Sequence, residues 1–440
     1  MKVYLRPADA RVRAVFALVA LLLLAFLVKR GAFDFDCYWV GSWAVRDGKA
    51  PQMYAVLDTP NAQGYYDLAN DSPAWSALAA AHLGKSHQLW GFIYPPPAAV
   101  MFLPFTSLSR TAAMVGWRLV NLAAYLAGVA LLLALLRDRL RPMEAQILLL
   151  AALASPPLLM ALAIGQMTPL VFFTIAAGLY FLRTERPVAA GACLALGTLL
   201  KVSPVLFAVW LLWRKQYRAL AAGAATLIGL SLVSMAITGA EVWRGFLGHC
   251  LPLLSRGTIS DTNVSALALV GRALGLGDPH SAWILPQDAR LTLFKLAFYA
   301  VVLLVSAVAL WQGRRDATGE RLEGEYALVN MAALLLSPIT WGHHLLLAVL
   351  TLLYVAAWGI AQKHTGPIVT ALLAYLLMLQ HHDFWHLLPG GLGPVLLPVG
   401  LGTVAALLGL LLLWAVNCAC LLRAEASERV LPVPAEGLSR

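Results

Sequence analysis

The sequence predicts an all-α polytopic membrane protein, and three observations lead there. Of 440 residues, 60% are hydrophobic and 12% charged, where soluble domains run near about a quarter charged. Mean hydropathy is +0.76. Long apolar runs recur between short basic connectors, and none has the even alternation of an outer-membrane barrel strand. The net charge of +10 then reports the basic connectors of a membrane protein. No nucleic-acid partner is expected.

The elements follow in order. Residues 14–28 form a first span behind a basic head of Lys2, Arg6, Arg11 and Arg13. No small-residue cleavage site follows, so the span reads as a retained anchor with a cytoplasmic N-terminus. Lys29 and Arg30 argue weakly the other way. At its exit stands Phe33-Asp34-Phe35-Asp36. A carboxylate at a membrane edge costs free energy unless it is solvated or paired. Residues 31–92 then form a long first extracytoplasmic loop. It carries Asp34, Asp36, Asp47, Asp58, Asp67 and Asp71 against Arg46, Lys49 and Lys85.

The apolar piece 93–107 opens with Tyr94-Pro95-Pro96-Pro97 and is too short to cross. Proline interrupts a regular helix before it, so the piece reads as re-entrant or interfacial. Residues 112–136 cross to Arg137-Asp138-Arg139-Leu140-Arg141. Residues 145–162 go out, and 168–184 come in to Arg183-Thr184-Glu185-Arg186. The run 188–213 has basic clusters at both ends, the second being Arg214-Lys215-Gln216-Tyr217-Arg218. A hairpin bent at Lys201-Val202-Ser203-Pro204 returns both clusters to the cytoplasm. Each arm, about 12 residues, is then about 18 Å long, short of a ~30 Å hydrocarbon core.

Span 217–238 leads to a second large outer loop, 239–287. Spans 289–312, 325–340, 343–361, 366–381 and 395–422 complete about twelve crossings with both termini cytoplasmic. Residues 1–423 are expected to form a single membrane domain, with 424–440 a polar, disordered cytoplasmic tail. Neither a soluble domain nor an internal repeat is visible. The unusual polar motifs all fall on the outer face, so binding or chemistry is expected there.

Each motif has a bland reading beside its sharp one. Asp34 and Asp36 point about 200° apart on a helix and cannot share one site. Either could cap the helix through 34–48, while Asp34 and Tyr38 share a face. Lys201 inside an apolar hairpin is either a snorkelling lysine or an anchor for a fixed anion such as a lipid phosphate. Gln166 and Arg272 could add donors. His343 and His344 are either packed interfacial residues or act on a proton or phosphate. Adjacent histidines do not make a helical metal pair.

The run His381-His382-Asp383-Phe384-Trp385-His386 resembles a metal cluster, yet His and Trp are ordinary at a bilayer interface. No metal or other cofactor is expected. Asn263-Val264-Ser265 matches a short glycosylation pattern. The five cysteines read as small buried hydrophobes. A Cys37–Cys250 disulfide is the alternative if both face an oxidising compartment.

Together these residues resemble the membrane-embedded GT-C glycosyltransferases, in particular glycosyltransferase family 87. The carriers are Asp34-Phe35-x-x-Tyr38 with Gly48 and Tyr54, Tyr94-Pro95-Pro96 with Pro104, and Gly165-Gln166. Lys201-x-x-Pro204 before Arg214, Asn263-x-Ser265 with Arg272, and Ser337-Pro338-x-x-Trp341-x-His343-His344 complete the set. Each is weak alone; their order and spacing are fairly specific, and they cover most of residues 14–360.

The resemblance implies a GT-C-like fold. It implies an inverting transfer of a sugar, mannose in the group it resembles, from a polyprenyl-phosphate donor to a glycolipid or glycan acceptor. The implied location is the extracytoplasmic side of a bacterial plasma membrane. It implies Asp34 as the base on the acceptor hydroxyl and a role for one of His343 and His344. Lys201, Arg272 and Gln166 are then expected on the donor phosphate. Asp36, Tyr38, Tyr94, Asn263 and Trp341 are expected in the substrate cavity. Two departures stand out: the first loop is long, and Val264 replaces a glutamine common in the family. A transporter or flippase of lipid-linked sugars is the rival reading, but such proteins often carry inverted repeats.

Overall fold

The computed structural model describes residues 10–28, 33–57, 60–61, 63–69, 72–84, 89–311, 319–381, 384 and 399–430. Among these there is no strand. Two isolated bridges occur: Asp67 with Trp283 ties the two outer loops together, and Thr258 with Ile284 closes the second loop on itself.

The chain begins with α1 (Ala10–Val28), α2 (Phe33–Arg46), α3 (Pro73–Leu83) and the short α4 (Pro96–Phe102). Next come α5 (Arg110–Leu136), α6 (Pro142–Leu153), α7 (Pro156–Ile164), α8 (Thr168–Arg183), α9 (Pro187–Leu200), α10 (Leu206–Trp213) and α11 (Tyr217–Thr238). Three short pieces follow: α12 (Ala240–Gly245), α13 (Leu251–Leu254) and α14 (Ala266–Ala273). The bundle closes with α15 (Ala289–Trp311), α16 (Gly319–Leu335), α17 (Ala348–Ala361), α18 (Thr365–Met378) and α19 (Val399–Val430).

Proline sets many of these boundaries. It occupies the first helical positions of α3, α4, α6, α7, α8 and α9, where its missing N–H is no loss. Ser155-Pro156-Pro157 splits the single run expected over 145–162 into α6 and α7, because proline lacks the amide a continuous helix needs. The piece 93–107 holds only α4 and a tight turn, Leu103–Ser107, as expected of a non-crossing segment.

Six helical segments are long and apolar enough to cross a bilayer among the described residues, and five more are apolar but shorter. Length and composition therefore carry about half of the crossings expected from the sequence. The span expected over 325–340 differs most. Its helix, α16, starts earlier, carries Glu320, Arg321, Glu323 and Glu325, and stops at Leu335.

The bend at Lys201 is present. α9 ends at Leu200, Lys201 is extended (φ −142, ψ 130), and a tight turn at Ser203–Val205 leads into α10. Gly191 near the start of α9 packs on the backbone of Ala219 and Gly223 near the start of α11; a Cβ on Gly191 would collide with the Ala219 carbonyl. Leu199 and Leu200 near the end of α9 share a cavity with Val233 and Ser234 near the end of α11. The two helices thus run side by side in one direction, and α10 between them runs back.

A buried ion cluster fixes which ends of the helices share a face. Glu323 pairs with Arg139 at 2.7 Å and Arg183 at 2.7 Å. Glu325 pairs with Arg214 at 2.8 Å and Arg321 at 3.2 Å. The ends of α5, α8 and α10 and the start of α16 therefore lie together on one basic face. In the sequence Arg139, Arg183 and Arg214 read only as connectors, with no sign of the two glutamates that gather them.

All five cysteines are free, so Cys37 and Cys250 are not bridged. Helix α19 continues to Val430, seven residues into the stretch expected as a disordered tail. Residues 431–440 lie outside the described residues, as do Lys2, Arg6, Lys29, Arg30, Asp58, Asp71, Lys85, Arg314 and Arg315.

Candidate active site

The two acids part company in the first turn of α2. Asp36 is buried and takes a bidentate pair from Arg110, Nε to Oδ1 at 2.8 Å and Nη2 to Oδ2 at 2.7 Å. It is a structural tie between α2 and the start of α5, not a wall of a substrate cavity. Asp34 instead accepts from the Tyr94 hydroxyl at 3.1 Å. Helix α2 begins at Phe33, ahead of both acids, and Asp36 spends both its oxygens on Arg110. Burial pushes the Asp34 carboxyl up to about 6, while the Lys201 charge and hydrogen bonds from Tyr94 and Gln166 pull the other way.

Two cavities meet at Tyr94. The larger, about 380 Å³, is lined by Lys201, Ser203, Ser337 and His344 together with apolar side chains of α10, α13 and α16. The smaller, about 300 Å³, is lined by Asp34, Cys37, Trp90, Thr262 and His343. Ile93, Tyr94 and Trp341 belong to both walls. The Pro95-Pro96 start of α4 holds Tyr94 at this partition, where its ring packs on Tyr38 (centroids 4.5 Å apart).

The histidines sit one on each side. In the turn Gly342–Leu347 successive side chains diverge by about 120°. The Trp341 amide donates to His344 Nδ1 at 3.0 Å, so a neutral ring carries its proton on Nε2. His343 is 2% exposed, and neither of its ring nitrogens has a hydrogen-bond partner among the described residues. Lys201 does not snorkel. It is buried, and its Nζ donates to the Thr168 hydroxyl at 2.9 Å.

Two of the expected phosphate ligands have other work. Gln166 borders the larger cavity, but its hydrogen bonds run toward Asp34. Its Oε1 accepts from the Tyr38 hydroxyl at 2.7 Å and the Met167 amide at 2.9 Å, and its Nε2 donates to Tyr94 at 3.0 Å. Gly165, in the left-handed conformation (φ 74), ends α7 and turns Gln166 inward. Arg272 lines neither cavity. Its Nη1 donates to the carbonyls of Ser260 at 2.6 Å and Asn263 at 3.2 Å, which locks the second outer loop.

Asn263 is also structural rather than part of a substrate cavity. It is fully buried; its Nδ2 donates to the Thr258 carbonyl at 3.0 Å, and its Oδ1 accepts from the amides of Ser265 at 3.0 Å and Thr340 at 2.9 Å. A buried, fully engaged amide is no glycosylation acceptor. It clamps the loop against the strand of chain that leads to His343.

The structure thus brings together Asp34, Tyr94, Lys201, Trp341, His343 and His344, with Tyr38 and Gln166 behind them. Asp36, Arg272 and Asn263 lie outside the two cavities. Thr168, Trp90 and Thr262 were missed by sequence reasoning. Only Thr168 had a signal, a hydroxyl two residues beyond Gln166 at a helix start. No cluster of three or more metal-ligating side chains occurs among the described residues. In the His381 run, His381 Nε2 faces the Thr262 carbonyl at 2.9 Å; His382, Asp383, Trp385 and His386 lie outside the described residues.

Fold and site define an all-helical membrane protein with an acid–histidine pocket and a lysine–histidine pocket side by side. Residues 92–338, more than half of the chain, match Glycosyltransferase family 87, and the chain belongs to that family. It is 26% identical over 303 residues to a polyprenol-phosphate-mannose-dependent alpha-(1-2)-phosphatidylinositol mannoside mannosyltransferase of Mycobacterium tuberculosis, covering 65% of this chain and 67% of that one. The protein of the same description from Mycolicibacterium smegmatis is 26% identical over 395 residues, covering 81% and 80%. A crystal structure of ArnT from Cupriavidus metallidurans bound to undecaprenyl phosphate superposes with a TM-score of 0.44 at 13% identity, covering 96% of this chain and 79% of that one.

Proposed function

We propose that this family 87 glycosyltransferase moves a mannosyl residue, with inversion, from a polyprenyl phosphate to a lipid-linked or glycan acceptor. The observation that carries the proposal is the pairing of the two cavities across Tyr94, one holding Asp34 and the other Lys201. The polyprenol-phosphate-mannose dependence of the relatives in M. tuberculosis and M. smegmatis supports the choice of donor.

The acceptor occupies the smaller cavity, where Asp34 takes the proton of its hydroxyl. The freed oxygen attacks the anomeric carbon from the face opposite the phosphate. The bond from that carbon to the phosphate oxygen breaks, its electron pair stays on the phosphate, and the configuration inverts. The phosphate lies in the larger cavity, where Lys201 Nζ and the Nε2–H of His344 stabilise its charge. The polyprenyl chain follows the apolar walls from α10, α13 and α16. A lipid phosphate is already a good leaving group, so base, cation and alignment are what the protein must supply.

Charge supports a choice of membrane side. Arg139, Arg183 and Arg214 gather on one face, and basic connectors favour the cytoplasm. The site is at the other ends of these helices, which supports an extracytoplasmic reaction at a bacterial plasma membrane.

The purified protein in proteoliposomes, given labelled polyprenyl-phosphate mannose and a phosphatidylinositol mannoside, tests this. A new mannolipid identified by mass spectrometry is expected. Movement of intact donor between leaflets without a new glycosidic bond would instead establish a flippase.

A further inference from the structure

We infer that Gln166 is a positioning residue for the base. Through Tyr94 it fixes the direction of the hydrogen bond that Asp34 receives, and it is not a ligand of the donor phosphate. The inference rests on the reading of Asp34 as the base.

Its argument is one of hydrogen-bond direction. The Met167 backbone N–H can only donate, and it points at Gln166 Oε1 at 2.9 Å. That identifies this atom as the amide oxygen and rules out the flipped amide. The Tyr38 hydroxyl is a second donor to the same oxygen at 2.7 Å. The other amide atom is therefore the NH2 group, and it donates to the Tyr94 oxygen at 3.0 Å. With its oxygen accepting there, Tyr94 turns its own hydrogen to the Asp34 carboxylate, Oδ1 at 3.1 Å, a stronger acceptor than the neighbouring Tyr38 hydroxyl, which already gives its hydrogen to Gln166. An ionised carboxylate can only accept, so every link of Tyr38–Gln166–Tyr94–Asp34 has a single direction.

The fold holds each member in place. Tyr38 and Asp34 lie one turn apart on α2, and Tyr94 is locked by the prolines that follow it. Gln166 sits between the left-handed Gly165 and the start of α8. Tyr38 and Gln166 are buried, so water does not compete for the links between them.

The groups facing Asp34 are Tyr94 and Gln166, Cys37 and Tyr38 on its own helix, Lys201 from the α9–α10 bend, and His343 across the smaller cavity. Asp36 is occupied by Arg110. A donor aimed at a carboxylate favours its charged form. Breaking the relay therefore makes Asp34 harder to deprotonate and loosens its aim, while Lys201 and His344 keep their hold on the phosphate.

The test is the pH dependence of steady-state transfer by the full-length protein, with Gln166→Leu, the near-isosteric Gln166→Glu, Tyr94→Phe and Asp34→Asn. Labelled polyprenyl-phosphate mannose is varied as donor, and thermal unfolding reports folding. Gln166→Leu, Gln166→Glu and Tyr94→Phe should each lower kcat by about tenfold or more. Each should move the acid limb of the profile to higher pH and leave the donor KM near its original value. Gln166→Leu combined with Tyr94→Phe should lose little more than either alone.

A raised donor KM with an unmoved acid limb would make Gln166 a phosphate ligand and overturn the proposal. A fall in kcat with no movement of the limb would also overturn it, as a merely structural effect. If Gln166→Leu does not fold, Gln166→Glu and Tyr94→Phe decide. Retained transfer by Asp34→Asn removes the base and the relay together. An inactive Asp34→Asn beside unmoved limbs removes the relay alone.

Discussion

His343 and His344 are consecutive, with ring centroids 4.3 Å apart, yet His343 lines the Asp34 cavity and His344 the Lys201 cavity. Residues 342–347 form a tight turn, whose spacing sends neighbouring rings in different directions. The pair is thus a divider with one ring on each cavity.

The two substitutions should therefore separate kinetically. His344→Ala removes a donor to the phosphate and should lower kcat/KM for the polyprenyl-phosphate donor by about 10²-fold. His343→Ala should raise the acceptor KM and leave the donor KM unchanged. Steady-state kinetics with each substrate varied in turn checks this; identical effects on both substrates would contradict the division.

Lys201 should not be replaceable by arginine. The compact ammonium rests on the Thr168 hydroxyl at 2.9 Å, and a planar fork has a different reach. Lys201→Met and Lys201→Arg should both lower kcat by about 10²-fold or more, and Thr168→Val by less. Single-turnover transfer at saturating donor measures it, and a fully active Lys201→Arg would show that any cation suffices.

Glu323 should matter for stability and not for chemistry. Its carboxylate is buried and holds both Arg139 and Arg183. Removing one partner of a buried ion pair costs about 3 kcal/mol or more. Glu323→Gln should therefore lower the melting temperature in detergent by several degrees, while the specific activity of the folded fraction stays unchanged. An unchanged melting temperature would mean that the cluster does not hold the basic face together.

Transfer should rise with pH through about 6. Burial raises the Asp34 carboxyl to about that value, and the base works only when deprotonated. Activity is then complete above this region and lost as pH falls through it. A pH–rate profile at saturating donor and acceptor checks the sign; a rate rising toward acid would contradict it.

What the sequence made legible was what is costly. Asp34 at a membrane edge and Lys201 at a proline-bounded bend stand out because charge near lipid needs a partner, and both line the site. The bend itself could be read from two basic clusters that one crossing cannot place on the same side. Partners were not legible. Arg272, Asn263 and Gln166 advertise donors, but only the folded chain shows that Arg272 and Asn263 lock the outer loop and that Gln166 faces Asp34. Helix spacing separated Asp36 from Asp34 in the sequence, but only the folded chain shows that Arg110, at the start of α5, holds Asp36. Glu323 and Glu325 were invisible as a cluster because their four arginines come from distant connectors and from their own helix.

The central claim is that Asp34 alone of the two carboxylates acts on the acceptor. Transfer from labelled polyprenyl-phosphate mannose by folded Asp34→Asn, beside Asp36→Asn, measures it most directly. The structure predicts a loss of about 10²–10⁴-fold for Asp34→Asn. Asp36→Asn should lower stability through Arg110 but keep most of its activity per folded molecule. Full activity in Asp34→Asn, or an Asp36→Asn that folds normally and is inactive, would contradict the account.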